Sequence, residues 1–116
     1  MSDVTKLLPL SRSLLHLLLA LHEGRRHGYA VKKRVEELSG GVVRMGPGTL
    51  YTTIQRAEDL GFIVESAERA PKDEDQSQRR YYELTPLGQQ VLRADVERLG
   101  AFIDHARTAI SGVPGK

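Results

Sequence analysis

Apolar residues set two rhythms along this chain. The first is dense: Leu14, Leu15, Leu17, Leu18, Leu19 and Leu21 crowd a run that opens at Ser11 and Ser13 and closes at Gly24. That predicts a helix capped by one of the serines. Its leucines cover most of the circumference, and a helix apolar nearly all round is buried on more than one side. Contact with its own domain and with something else, such as a second subunit, is expected.

A basic turn, GRRHG, separates it from a second helix reaching about Ser39, with Val31, Val35 and Leu38 on one face. Gly40 and Gly41 stop that helix. A third starts with Gly46 as N-cap and Pro47 as first residue, where the missing N–H costs nothing. Leu50, Ile54 and Ala57 form its inward stripe, and Gly61 ends it. The rhythm then shortens. FIVESAER (Phe62 to Arg69) and RRYYELT (Arg79 to Thr85) are rich in β-formers and flank the polar stretch APKDEDQSQ. They predict a two-stranded hairpin with a long, mobile tip. Thr85 and Pro86 open a last helix reaching about Ile110, and the tail SGVPGK is expected to fray. Leu92, Val96, Leu99, Ile103, Ala106 and Ile110 recur at heptad spacing along that helix, with Phe102 adding apolar surface.

Three compact helices followed by a hairpin make a winged helix-turn-helix. The fold class expected is α+β, mostly α, with an added C-terminal dimerisation helix. Residues 1–85 form the winged unit, and 86–116 form the dimerisation helix and tail. The heptad seam has a second explanation, since a helix packed on its parent domain also shows this spacing. The length of the run and the leucine-rich first helix favour a C2 dimer, with Leu14 and Leu18 joining Leu92, Val96, Leu99, Phe102, Ile103, Ala106 and Ile110 at the interface.

The outer face of the third helix changes the picture most. At about 100° per residue, Gly48, Thr52, Gln55 and Asp59 oppose Leu50. Tyr51 and Arg56 flank them, and Thr49 lies on the Arg56 side. Such side chains are common on exposed helices, and a Gly-Pro start is ordinary capping chemistry. The neighbouring elements decide otherwise. A helix in the major groove fits a slot about 12 Å wide; Gln suits adenine, Arg suits guanine, and a Thr methyl meets a thymine methyl. Gly48 removes bulk where the backbone approaches the duplex, and the first-turn N–H groups favour a phosphate. Asp59 would be repelled by phosphate, so only the N-terminal half is expected to enter the groove.

Charge supports this through placement, because the net charge is only +2. Arg25, Arg26, His27, Lys32 and Lys33 cluster at the start of the second helix, which in this arrangement crosses the DNA backbone. Arg69, Arg79 and Arg80 mark the hairpin ends. The tip, Asp73, Glu74 and Asp75, is acidic and is expected to stay off the duplex, with Lys72 beside it. The partner expected is double-stranded DNA.

Other chemistries find little support. The chain has no cysteine, which excludes disulfides and Cys-rich zinc sites and fits a reducing compartment. His22 and His27 surround Arg25 and Arg26, and adjacent cations disfavour a bound metal. No nucleophile–base pair or phosphate loop stands out, so neither an enzyme nor a cofactor or metal is expected. Pro9, Ser11, Arg12, Ser13 and His16 interrupt the leucine run, so no membrane span is expected and the protein reads as cytoplasmic. The rival reading is a winged helix that binds protein or RNA without an operator.

Four stretches carry a resemblance: HGYAV (His27 to Val31), GPGTLY (Gly46 to Tyr51), the pattern through Glu58, Gly61 and Ile63, and RRYYELTPLG (Arg79 to Gly88). In this order and spacing they resemble the PadR family of bacterial transcriptional regulators, and the single closing helix resembles its short-tailed subgroup. The resemblance implies a homodimeric winged-helix repressor, with the first and last helices at the dimer interface; a C2 dimer would place the two recognition helices about one DNA turn apart and so predicts a palindromic operator. It implies DNA contacts from the Gly48 to Arg56 helix, from Tyr29 and from the basic wing strands, and gives Tyr51 a backbone contact. It implies that one of Tyr81 and Tyr82 is packed. It also implies a small hydrophobic or aromatic effector near the dimer interface. Candidate lining residues are Leu14, His16, Leu18, Val96, Leu99, Phe102 and Ile103, for which plain dimer core is the simpler reading. Two positions depart from the family pattern: Thr52 stands where proline is frequent, and Ala57 where leucine is frequent.

Overall fold

The computed structural model describes residues 3–66 and 80–111. A short 3-10 turn (Val4–Leu7) leads into helix α1 (Arg12–His22). Strand β1 (Arg26–His27), helix α2 (Gly28–Leu38) and helix α3 (Pro47–Asp59) follow. Strands β2 (Ile63–Glu65) and β3 (Tyr81–Leu84) and the long helix α4 (Pro86–Ser111) complete the fold. The helices and the hairpin stand in the expected order, with strands shorter than the β-rich stretches.

Each helix begins where local chemistry satisfies its first N–H groups. The Ser11 hydroxyl accepts from the Leu14 amide at 3.2 Å and caps α1. His27 caps α2 through Nδ1, which accepts from the Ala30 amide at 3.2 Å. Thr85 caps α4: its Oγ1 accepts from the Gly88 amide at 3.0 Å and donates to the Gly61 carbonyl at 2.6 Å. Gly41 (φ 84°) closes α2 from the left-handed region, donating its N–H to the Glu36 carbonyl at 2.7 Å.

α1 is the central helix. Contacts with α2, α3, α4 and β3 cover it, and Leu18 has no exposed surface. Its all-round leucines are therefore explained largely within one protomer, each buried side chain contributing about 1.5–3 kcal/mol. Leu14 and Leu18 sit in this core. Val43 and Met45, in the α2–α3 connection, are also buried. The first part of α4 buries Gly88, Val91, Leu92 and Asp95 in the same core. Beyond Leu99 the helix exposes nearly every side chain.

The sheet corrects the expectation of a two-stranded wing. It has three antiparallel strands in the order β1-β3-β2. Arg26 and His27, read as part of a turn, pair with Tyr82 and Tyr81. Two residues are too few to show an alternating pattern, and their partners are far along the chain. β2 pairs with β3 through Ile63 with Leu84, Val64 with Glu83 and Glu65 with Tyr82. Tyr82 is the packed member of the tyrosine pair.

Asp95 is only 1% exposed. Its Oδ2 accepts from the Leu10 amide at 3.2 Å and its Oδ1 from Arg98 Nε at 2.7 Å. A buried carboxylate needs such partners, and this one ties the segment before α1 to α4.

Candidate nucleic-acid interface

Helix α3 presents the face expected of it. Gly48, Thr49, Thr52, Gln55 and Arg56 are exposed, as is Asp59 at the far end. Ile54 and Ala57 are buried, and Leu50 is half-buried. The inward stripe is wider than Leu50, Ile54 and Ala57, because Thr53 is buried too. Its hydroxyl donates to the Thr49 carbonyl at 2.7 Å, which satisfies it without a partner outside the helix. No side chain caps α3 and no acid stands in its first turn. The amides of Gly48 and Thr49 thus keep the open donors of a helix start.

Gly48 is unconstrained from within, since a Cβ added there meets nothing within 4 Å. Gly28 differs: a Cβ there would lie 3.6 Å from Leu50 and 3.8 Å from Ile54. The start of α2 therefore rests on α3, which sets the angle between the two helices.

A groove of about 590 Å³ runs between the start of α2, α3 and β3, walled by His27, Tyr29, Pro47, Tyr51, Arg80 and Tyr82 among others. Tyr29 and Tyr51 are 62% and 67% exposed. Two large aromatic rings standing into solvent beside a polar helix face are poor for stability alone and suited to contact. Arg56 lies on the other flank of α3, where it lines a separate cavity of about 400 Å³ with Lys6 and Phe62.

The wing is held by Tyr81. The His27 ring meets it edge-on at 5.3 Å and 87°, and the Arg25 guanidinium lies 5.1 Å from its centroid. Arg80 is exposed and lines the same groove as the Tyr82 phenol. Burial, with the Glu58 carboxylate second, pushes that phenol up from its ordinary value. Arg69, Lys72, Asp73, Glu74, Asp75 and Arg79 lie outside the described residues.

The basic cluster divides. Arg34 grips Glu23 with two bonds, Nε at 2.6 Å and Nη2 at 2.8 Å, and reaches Glu37 at 3.1 Å. Arg26 joins the same Glu23 at 2.9 Å and donates from Nε to the Ala20 carbonyl at 3.0 Å. Lys32 pairs with Glu36 at 3.0 Å. The Arg34 hydrogen bond is the main cause that holds Glu23 below the usual carboxylate range, and Glu23 in turn raises the Arg34 guanidinium. Lys33 and Arg56 are exposed and carry no ion pair among the described residues. Spacing alone does not show this division, because Glu23 reaches Arg34 across the turn between two helices.

Of the residues expected at a dimer interface, Val96, Phe102, Ile103 and Ile110 are exposed, Phe102 at 63% and Ile110 at 84%. Leu99 and Ala106 are half-buried, whereas Leu14, Leu18 and Leu92 are buried in the protomer. Leu19, His22, Leu92, Arg93 and Val96 line a cleft of about 240 Å³ between α1 and α4. Among the described residues, no group of His, Cys, Asp and Glu has the makings of a metal site, and no helix is long and apolar enough to cross a membrane.

Comparison with known proteins agrees with this arrangement. A PadR-like solved structure from Bacillus cereus superposes with a TM-score of 0.73 at 17% identity, covering 86% of this chain and 92% of the other. Bacillus subtilis PadR, solved in complex with operator DNA, matches with a TM-score of 0.58 at 22% identity, over 70% of this chain and 44% of that one. These likenesses establish a winged-helix fold. In sequence, the chain is 33% identical over 98 residues to an uncharacterised 37.1 kDa protein of a Streptomyces fradiae transposon, covering 84% of this chain. It spans 25% of that relative's length. The model of the PadR-like transcriptional regulators matches residues 17–94, more than half of the chain. This chain belongs to the PadR-like family of transcriptional regulators, which are DNA-binding proteins and not enzymes.

Proposed function

We propose that the protein is a homodimeric repressor that binds a palindromic operator through the N-terminal half of α3. The observation that carries this reading is the exposed row Gly48, Thr52 and Gln55 beside the Tyr29–Tyr51 groove. That row is exposed in its own protomer, and in this fold it is the part that enters the major groove. Thr52, Gln55 and Arg56 read base edges. Thr49, Tyr29, Tyr51, Lys33 and Arg80 position the backbone, with Lys32 and Arg79 assisting. Leu50 and Ile54 hold the helix at its angle. The winged unit, 1–85, reads DNA, and 86–116 dimerises. It works in the cytoplasm, alongside its DNA.

The apolar stripe on the projecting half of α4 supports the dimer. Val96, Phe102, Ile103 and Ile110 are exposed and Leu99 and Ala106 half-buried, so one protomer covers this row only in part. Leu14, Leu18 and Leu92 back that surface from inside the protomer. A C2 pair separates the two reading helices by about 34 Å, one turn of DNA. A small hydrophobic or aromatic effector would sit in the cleft by Leu19 and Val96 at the base of the stripe.

The roles separate under substitution. Gln55→Ala or Arg56→Ala relaxes base preference at one position of each half-site by about 1–3 kcal/mol. Lys33→Ala weakens binding evenly across sequences and flattens the salt dependence. If both kinds of variant act alike in competition binding, the assignment of reading and positioning roles is wrong. A monomer by sedimentation at micromolar concentration would refute the dimer.

A further inference from the structure

We infer that the protein has a binding site for a small organic anion with an apolar tail, such as a medium-chain carboxylate, between the segment before α1 and the Arg56 flank of α3. The cavity there has a volume of about 400 Å³, within the range of small-molecule sites, about 300–1,000 Å³. It lies apart from both the groove beside Tyr51 and the cleft by Val96.

Its lining sorts by depth and chemistry. Leu10, Leu14 and Phe62 are buried and form an apolar floor with the half-buried Leu60. Lys6 and Arg56 are the exposed charged residues lining it, and both are cationic. Neither makes an ion pair among the described residues. Ser11, also in the lining, accepts from the Leu14 amide, which leaves its hydroxyl proton to donate. No carboxylate lines the space. Asp95 stands behind Leu10, its oxygens taken by the Leu10 amide and Arg98.

Two cations and a hydroxyl donor over an apolar floor, with no acidic side chain between them, select an anion carrying a hydrocarbon tail. The head group engages Lys6 and Arg56 through charge-assisted hydrogen bonds, and the tail covers Leu7 and Leu60 over the buried floor of Leu10 and Leu14. The consequence for DNA rests on the proposed role of α3; binding of the anion does not. A carboxylate on Arg56 neutralises a guanidinium next to Gln55 and holds it toward the N-terminal segment. Operator affinity then falls.

Octanoate is the probe, titrated into the isotope-labelled full chain, with acetate as head-only control and 1-octanol as tail-only control. Octanoate shifts the methyl resonances of Leu10, Leu14 and Leu60 saturably; octanol binds at least about tenfold more weakly, as loss of one charge-assisted bond predicts, and acetate does so because it lacks the apolar tail. Lys6→Gln and Arg56→Gln, both at exposed positions, each weaken octanoate binding by a similar factor. Equal binding of octanol and octanoate, or shifts centred on Val96 and Phe102, would overturn the site. In a parallel DNA titration, octanoate weakens operator binding of the wild type and not of Lys6→Gln. Binding at the cavity with unchanged operator affinity overturns the coupling and leaves the site standing. A chain that binds no DNA refutes the proposed function, and the methyl shifts still decide the site.

Discussion

Gly88 and the carbonyl of Phe62 leave no room between them: a Cβ on Gly88 would lie 2.0 Å from that oxygen. The obstacle is backbone, held by the Thr85 amide, which donates to the same oxygen at 3.0 Å. This contact sets how closely α4 crosses the start of β2. Gly88→Ala is therefore expected to cost about 3 kcal/mol or more, the upper end of overpacking. Chemical denaturation measures it, and a loss within error would contradict the crossing described.

Glu23 restrains two of the cations beside the second helix. Glu23→Gln removes the carboxylate from Arg26 and Arg34, leaving Arg34 held only by Glu37 and Arg26 only by the Ala20 carbonyl. Non-specific DNA binding is expected to tighten. The slope of log K against log salt becomes steeper by up to about 0.9 for each guanidinium that reaches a phosphate. The same carboxylate has a folded pKa below its ordinary 4.5. Its contribution to stability is thus present above that value and lost as pH falls through the depressed one. An unchanged salt slope in the variant would place these arginines away from the DNA.

Gly48 separates stability from function. Alanine is favoured over glycine in helices by up to about 1 kcal/mol, and a Cβ at this position meets open space. Gly48→Ala should raise the melting temperature while weakening operator binding by about 1–3 kcal/mol, the size of one lost base-pair contact. Both readouts come from one purified variant. Equal operator affinity would show that the backbone at Gly48 does not approach the duplex.

Tyr82 makes the fold sensitive to alkali. Its phenol is pushed above 10.0, chiefly by burial. The folded state therefore favours the neutral form. Stability is intact below that ordinary value and is lost as pH rises through the raised one. The melting temperature should fall above about pH 10, and Tyr82→Phe should flatten that limb. A parallel fall in both proteins would assign the effect to other groups.

Features set by neighbours in sequence were readable before the structure. The Ser11 cap, the Gly46-Pro47 start and the Thr85 cap each rest on residues within one turn of helix, and the outward row of α3 follows from helical spacing. The features that escaped depend on distant partners. β1 needs Tyr81 and Tyr82, and Thr53 faces inward because α3 is buried over a wider arc than its apolar residues mark. Asp95 is buried because the fold brings the Leu10 amide to it. Leu14 and Leu18 suggested an outer surface because periodicity does not reveal that α4 covers the same helix. Where Arg26 and Arg34 direct their charge likewise depends on Glu23 across the turn.

The central claim is that α3 reads a palindromic operator. The most direct measurement titrates the wild-type chain with the inverted repeat upstream of its own coding sequence, with one half of it and with a scrambled version, at several salt concentrations. The intact repeat should bind two chains, about a thousandfold or more tighter than the scrambled DNA, with a steep salt dependence. Weak binding that is equal for all three DNAs would contradict the claim and leave a winged helix whose partner is protein or RNA.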